Sequence, residues 1–296
     1  MNYYTEIKNK LINNEIYGRV KDYSKERNTV ITYFEIGRLL SKAGGKYGEN
    51  IIEKYANKLM VEVGKKYNKR TLFRMKQFYI TFNNEKVSTL STQLTWSHYT
   101  ELLPIEDKNK LLYYLNLCIK QNLGVRSLRN KIKSKEYERL PEESKNKLIN
   151  NEKLKPSDLI PNPIKIKNSS NRGIISEKVL QKIIMEDIPV FLEELGEGFT
   201  FIKNEYKIKI GNAYNYIDLL LYNIKYKCYV VIELKVTELK KEHIGQIQVY
   251  MNYIDKHIKT IEENKTVGII ICKKENKYVI EFCSDNRIIS RVYEII

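Results

Sequence analysis

The sequence predicts an α+β protein with an all-α N-terminal part and an α/β C-terminal part, and three observations carry that prediction. Between Asn28 and Phe82 apolar residues recur at helical spacing. From Phe199 to Cys283 they gather instead into short runs of β-branched and aromatic residues, interrupted by one long amphipathic stretch. Between the two regions, Pro141, Pro156, Pro161 and Pro163 fall in a polar tract of the kind that separates domains. The expected division is a helical domain over 1–134, a linker over 135–172, in which Glu142 to Leu148 could still extend as a helix, and an α/β domain over 173–296. A chain of 296 residues, 42% of them hydrophobic, suffices for two cores.

In the first part Ile31, Phe34 and Leu39 form one apolar stripe, and Ile51, Ile52, Tyr55, Leu59 and Val63 a second, with Gly44, Gly45 and Gly48 punctuating the gap. After Gly64 a further helix spans 69–82. Its inner face is Leu72, Met75, Phe78, Tyr79 and Phe82, and its outer face carries Lys69, Arg70, Arg74, Lys76 and Gln77. Two helices joined by a glycine-containing turn, the second one basic, suit a helix-turn-helix whose second helix enters a DNA groove. An ordinary solvated helix face is the alternative. A helical block over 96–133, broken at Pro104, offers Leu111, Leu112, Leu115, Cys118 and Ile119 to the core, with Trp96 as an anchor. From Val125 to Lys135, Arg126, Arg129 and several lysines alternate with Val125, Leu128 and Ile132, which reads as a second phosphate-contacting face or as an amphipathic surface helix.

The C-terminal part is expected to begin with a helix over 176–195, capped by Ser176, kinked or interrupted at Pro189 and stopped at Gly196. Phe199 to Ile210 reads as a strand turning at Gly211-Asn212. Tyr216 to Val236 reads as two paired strands joined by a polar turn at Asn223, Lys225 and Lys227. A helix over 239–258 then leads to a strand over 266–272, parallel to the one before the helix, and Tyr278 to Cys283 reads as an edge strand. The resulting core order is αβββαβ.

Apart from the lysines of that turn, the two paired strands carry three charges: Asp218 in the first, Glu233 and Lys235 in the second. Side chains alternate along a strand, so Glu233 and Lys235 share a face, their Cα atoms about 6–7 Å apart. Two carboxylates set into an apolar sheet call for a compensating cation, either lysine or a metal. The alternative is an ordinary Glu–Lys pair on a solvated strand face.

Asp218 followed by Glu233-Leu234-Lys235 resembles the PD-(D/E)xK nuclease superfamily, and the surrounding sequence resembles its YhcG-like bacterial branch. The resemblance runs through Phe191–Gly198, Tyr216–Tyr222, Val231–Lys235, Gly245–Tyr253 and Gly268–Lys273, and reaches back to Thr32–Leu40, Leu94–Leu103 and Val125–Ile132. It implies a restriction-endonuclease-like domain that hydrolyses DNA phosphodiester bonds to leave a 5′-phosphate. It implies Mg²⁺ or Mn²⁺ held by Asp218, Glu233 and the Leu234 carbonyl, with Lys235 positioning water or stabilising charge. Gln246 and Tyr250, four apart on the long helix, match a Gln-x-x-x-Tyr element of related nucleases, although Tyr250 also suits the core and Gln246 the solvent. In the first helix Glu177 is the expected contributing carboxylate, with Gln181 orienting the site; the alternatives are that position 181 faces the metal, or that Glu177 simply sits in the first turn, where a carboxylate is favourable. Two alternatives stay open: a DNA-binding or assembly component that no longer cleaves, and an RNA nuclease.

Composition agrees with a polyanionic partner. Lys and Arg number 52 against 36 Asp and Glu, a net charge of +16, which favours phosphate neutralisation. Lys, Asn, Ile and Tyr abound together, the mixture expected of an AT-rich coding sequence, so the lysine count is discounted; the net charge survives that discount, since Glu is encoded by similarly AT-rich codons. The four cysteines show no CxxC spacing and the three histidines no metal-spaced pair. No apolar run approaches the ~18 residues of a membrane span, so the expectation is a soluble cytoplasmic protein. One active centre per chain means that double-strand cleavage would need a homodimer or successive nicks.

Overall fold

The computed structural model describes residues 2–19, 25–47, 50–83, 94–150 and 152–296. The chain is α+β and divides into two units, Met1–Ser134 and Lys135–Ile296. No helix among the described residues is long and apolar enough to cross a membrane.

The first unit is helical: α1 Tyr3–Arg19, α2 Lys25–Tyr47, α3 Asn50–Glu62, α4 Lys69–Phe82, α5 Trp96–Leu102, α6 Lys108–Gln121 and α7 Val125–Lys133. Helix α1 was not expected. It buries Tyr3, Ile7 and Leu11 in a single file among polar residues, too narrow a stripe to stand out. Helix α2 runs through Gly44 and Gly45 to Tyr47, while Gly48 lies outside the described residues. Helices α2 and α4 approach at Gly37, where a Cβ would meet the Met75 carbonyl oxygen at 2.1 Å. Helix α4 starts at Asn68, whose side chain accepts from the Thr71 N–H at 3.0 Å, and buries Leu72, Met75, Phe78 and Phe82. Phe78 meets the rings of Phe34, Trp96 and Tyr99, so Trp96 is a core contact.

The second unit contains α8 Glu136–Arg139, α9 Glu142–Ile149, β1 Ile164–Ile166, α10 Glu177–Glu186, α11 Ile188–Leu195, β2 Phe199–Ile210, β3 Ala213–Asn223, β4 Cys228–Glu238, α12 Lys241–His257, β5 Asn264–Lys274, α13 Lys277–Glu281 and β6 Ile288–Ile295. The sheet order is β1-β6-β5-β4-β3-β2. The pairs from β1 through β4 are parallel, and β2 and β3 are antiparallel. One face packs on α10 and α11 through Leu180, Ile184, Phe191, Leu219 and Leu234. The other packs on α12 through Ile247, Met251, Ile254, Val231 and Ile270. Gly268 lets α12 lie close to β5: a Cβ there would meet the Met251 sulfur at 2.5 Å.

Two expectations need correction, and a third is made definite. The tract over 135–172 is not a free linker, because β1 pairs with β6 and Ile160, Ile164 and Ile166 are buried in the sheet core. Arg139 also pairs with Glu194 and donates to the Pro163 carbonyl at 2.6 Å. The prolines mark boundaries between short elements there; Pro141, for example, caps α9. The helix over 176–195 is interrupted near Pro189, one of the two outcomes expected there: two helices meet at Asp187, with Pro189 in the first turn of the second, where its missing N–H costs nothing. Tyr278–Cys283 holds most of α13 and the turn after it rather than an edge strand. Val279, Ile280 and Cys283 turn toward the core while Tyr278 and Phe282 are exposed, a helical spacing in a run too short to declare its period. The strand beyond β5 is β6.

Candidate active site

Strands β3 and β4 pair from Asn223–Cys228 up to Leu219–Ile232 and then part. At the next position Asp218 turns its Oδ2 to accept the Leu234 N–H at 2.8 Å, a side chain standing in for a ladder partner. N–H and C=O of a strand residue point to the same edge, so the Leu234 carbonyl opens beside Asp218. Val231 lies in the α12-side cluster and Leu234 in the α10-side one. Alternation therefore sets Glu233 and Lys235 on the α12 side.

Glu233 is 1% exposed and Lys235 7%. The Lys235 ammonium lies 3.4 Å from Glu233 Oε2 and 3.5 Å from Glu177 Oε2. Glu177 opens α10 behind the Ser176 cap, whose hydroxyl accepts from the Val179 N–H, and its side chain is 42% exposed. One turn on, buried Gln181 donates to the Asp218 backbone carbonyl at 2.8 Å, tying α10 to β3. On α12, Gln246 donates to the Tyr250 hydroxyl at 3.1 Å. The two bond each other rather than Lys235, and Tyr250 is buried in the α12-side core.

Burial disfavours charge throughout this cleft. It pushes the Glu233 carboxyl up to about 8, with Asp218 adding to the rise and Lys235 opposing it. Burial likewise raises Asp218, against the Leu234 N–H and Lys235. Burial also raises the Tyr250 hydroxyl. Two residues that the sequence did not single out share this field. Glu205 acts on Asp218 from the neighbouring strand. His243, lowered by burial and by Lys235, stands at the start of α12, its Nδ1 accepting from the Lys240 N–H. The spacing 243, 246, 250 is one helical stripe (i, i+3, i+7) and would have flagged His243.

A divalent ion fits these donors. Glu233 Oε1 is buried with no hydrogen-bond partner, while Lys235 reaches only its Oε2, which leaves one buried acceptor oxygen for an ion. Among the described residues no three His, Cys, Asp or Glu side chains converge as a ready-made cage. Two carboxylates and one carbonyl suit an ion that keeps several waters, as Mg²⁺ does.

In the first unit, Arg129 of α7 donates twice to Glu101 of α5, at 3.1 and 2.6 Å, and Arg74 of α4 and Lys133 of α7 act on the same carboxylate. Arg70 and Arg126 are exposed and Lys76 half-buried. Gln77 is committed to the Leu103 carbonyl at 2.9 Å.

A mixed sheet flanked by helices on both faces, with two carboxylates and a lysine where two strands part, is the arrangement of a PD-(D/E)xK nuclease-type domain. Residues 164–292 match the YhcG PDDEXK nuclease domain and residues 16–139 the DUF1016 N-terminal domain, so the chain belongs to the YhcG-like PDDEXK nuclease family. The first match begins at β1, inside the tract expected to be a linker. A curated relative from Escherichia coli (strain K12), "Putative nuclease YhcG", is 22% identical over 286 residues, covering 82% of this chain and 76% of that protein. Among solved structures, a repair endonuclease from Pyrococcus abyssi matches 43% of this chain and 49% of its own at 17% identity and a TM-score of 0.30. An EndoMS complex with double-stranded DNA matches 41% of this chain and 44% of its own at 19% identity and a TM-score of 0.29. This chain thus spans about half the length of either.

Proposed function

We propose that this nuclease is a divalent-metal-dependent DNA endonuclease. Asp218, Glu233 and the Leu234 carbonyl would hold Mg²⁺ or Mn²⁺. When bound, the ion neutralises phosphate charge and acidifies water. The observation that carries the reading is the buried, unpartnered Glu233 Oε1 beside Lys235, a costly arrangement unless a cation completes it.

Within this scheme Asp218 holds the parted strands at fixed spacing through its bond to the Leu234 N–H. Lys235, drawn between Glu233 and Glu177, keeps its ammonium where negative charge grows on the phosphorus oxygens as the nucleophile adds. Glu177 positions Lys235, and Gln181 positions Asp218. Gln246 and Tyr250 form the wall behind Glu233, with the Tyr250 hydroxyl fixed by Gln246. DNA affinity comes largely from the first unit, through Arg70, Arg74, Lys76, Arg126 and Arg129.

The test is incubation of the purified chain with supercoiled plasmid, linear duplex and RNA, each with Mg²⁺, Mn²⁺ or EDTA, alongside Glu233→Ala and Lys235→Ala. The reading expects metal-dependent DNA cleavage that each substitution reduces by about 10³-fold or more, with DNA binding retained. Wild-type cleavage by a folded Glu233→Ala, or cleavage in EDTA, overturns it; cleavage of RNA alone replaces the substrate.

A further inference from the structure

The β2–β3 ribbon extends beyond the sheet. Strand β3 pairs with β4 only over Leu219–Asn223, whereas it pairs with β2 as far as Ala213. Residues 213–218 therefore have β2 as their one neighbouring strand. Across this ribbon Lys207 lies opposite Tyr216 and Lys209 opposite Tyr214, so the four share a face. Both lysines are exposed, Tyr214 is 56% exposed and Tyr216 52%. The Lys207 ammonium sits 3.7 Å from the centre of the Tyr214 ring. The other face is spoken for, since Ile208 and Ile217 are buried in the α12-side core. Between Lys207 and Ile217 there is no acidic residue. Tyr214 and Tyr216 lead along one strand to Asp218, at about 3.3 Å per residue, and the strand changes the face it presents there, since Ile217 lies in the α12-side core and Leu219 in the α10-side one.

We propose that this face is a stacking platform for unpaired nucleotides flanking the scissile phosphate, so that the substrate of this site is DNA with a single-stranded segment next to the point of cleavage. The proposal rests on the nuclease reading above. Phosphate contact alone requires only the lysines. Two exposed aromatic rings interleaved with cations offer what a paired duplex cannot use, because its bases are already stacked, and what a free strand can. The lysines take the phosphates between successive bases, and each ring takes a base.

The experiment is fluorescence anisotropy with the full chain in EDTA, using a labelled oligothymidylate and a blunt duplex across a salt series. Tyr214→Ala with Tyr216→Ala is expected to weaken single-strand binding about tenfold or more and duplex binding less than about twofold. The corresponding pair of Phe substitutions should bind like wild type, since stacking needs the ring and not the hydroxyl. Lys207→Gln with Lys209→Gln should flatten the single-strand salt dependence by about 0.7 in log–log slope for each phosphate left without its cation. Unchanged single-strand affinity in the Ala pair, or equal losses for both probes, overturns the platform. Strand binding that depends on the tyrosines in a protein that never cleaves would sink the nuclease reading and leave the platform standing.

Discussion

Glu233 is the residue whose surroundings make the sharpest demand. Burial lifts its carboxyl from an ordinary 4.5 to about 8. Between those values the folded chain holds a proton that the unfolded chain has released, so this group's contribution to stability falls as pH rises through the window. Glutamine cannot titrate. The melting temperature of Glu233→Gln relative to wild type is therefore expected to climb from about pH 5 to about pH 8, and Mg²⁺ should narrow the gap at the upper end by replacing the proton. A gap independent of pH would contradict the burial. Gln181 supports a second expectation at this scale. A carboxylate there would face the Asp218 carbonyl oxygen with no donor, so Gln181→Glu should destabilise by about 2 kcal/mol or more and impair cleavage. Glu177→Gln should lower kcat by loosening Lys235 while leaving metal affinity, measured by calorimetry, near wild type. A gain of activity from Gln181→Glu would reverse these assignments. Asp218, Glu233 and Lys235 could be read from the sequence because charges are rare in strands buried on both faces. The Gln181 bond to the Asp218 carbonyl could not, since it joins residues 37 apart.

At the level of elements, strong periodicity was legible and short segments were not. Strands β2 to β5 and helix α12 carry long apolar patterns, and the sheet places them in the expected order. Helix α13 and strand β1 are five and three residues long, shorter than the window over which a period of 2 differs from one of 3.6. Their identity comes from tertiary partners, the α12-side core for α13 and β6 for β1. In the first unit the pairing of Arg129 with Glu101 depends on how α5 meets α7, which neither helix announces. It also leads to a prediction. If α4 and α7 meet phosphate, Glu101 competes for the same guanidinium. Glu101→Gln should then tighten DNA binding severalfold and steepen its salt dependence by about 0.9 in log–log slope, the increment expected of one further neutralised phosphate. Titration by anisotropy checks this, and unchanged or weaker binding would remove Arg129 from the interface.

For the whole molecule, the proposed division of labour puts chemistry in one unit and most affinity in the other, and truncation separates them. Because β1 belongs to the sheet, a fragment starting at Arg172 lacks a strand, whereas one starting at Lys135 retains the unit intact. The Lys135 fragment is expected to melt cooperatively and to bind duplex DNA at least about tenfold more weakly than the full chain, with a shallower salt slope. The Arg172 fragment should melt lower. Duplex affinity and salt slope in the Lys135 fragment equal to those of the full chain would refute the role given to the first unit.

The place of β6 has a kinetic consequence. It lies between β1 and β5, although it is the last of the strands to be synthesised, and Ile164 waits about 130 residues for its partner Tyr293. Until β6 arrives, β5 shows an unpaired inner edge and β1 has nothing to join. Pairings of such long sequence separation come late and slowly, and the waiting edges are open to other strands. The nuclease unit thus closes from the middle of its sheet, with its most distant contact made last.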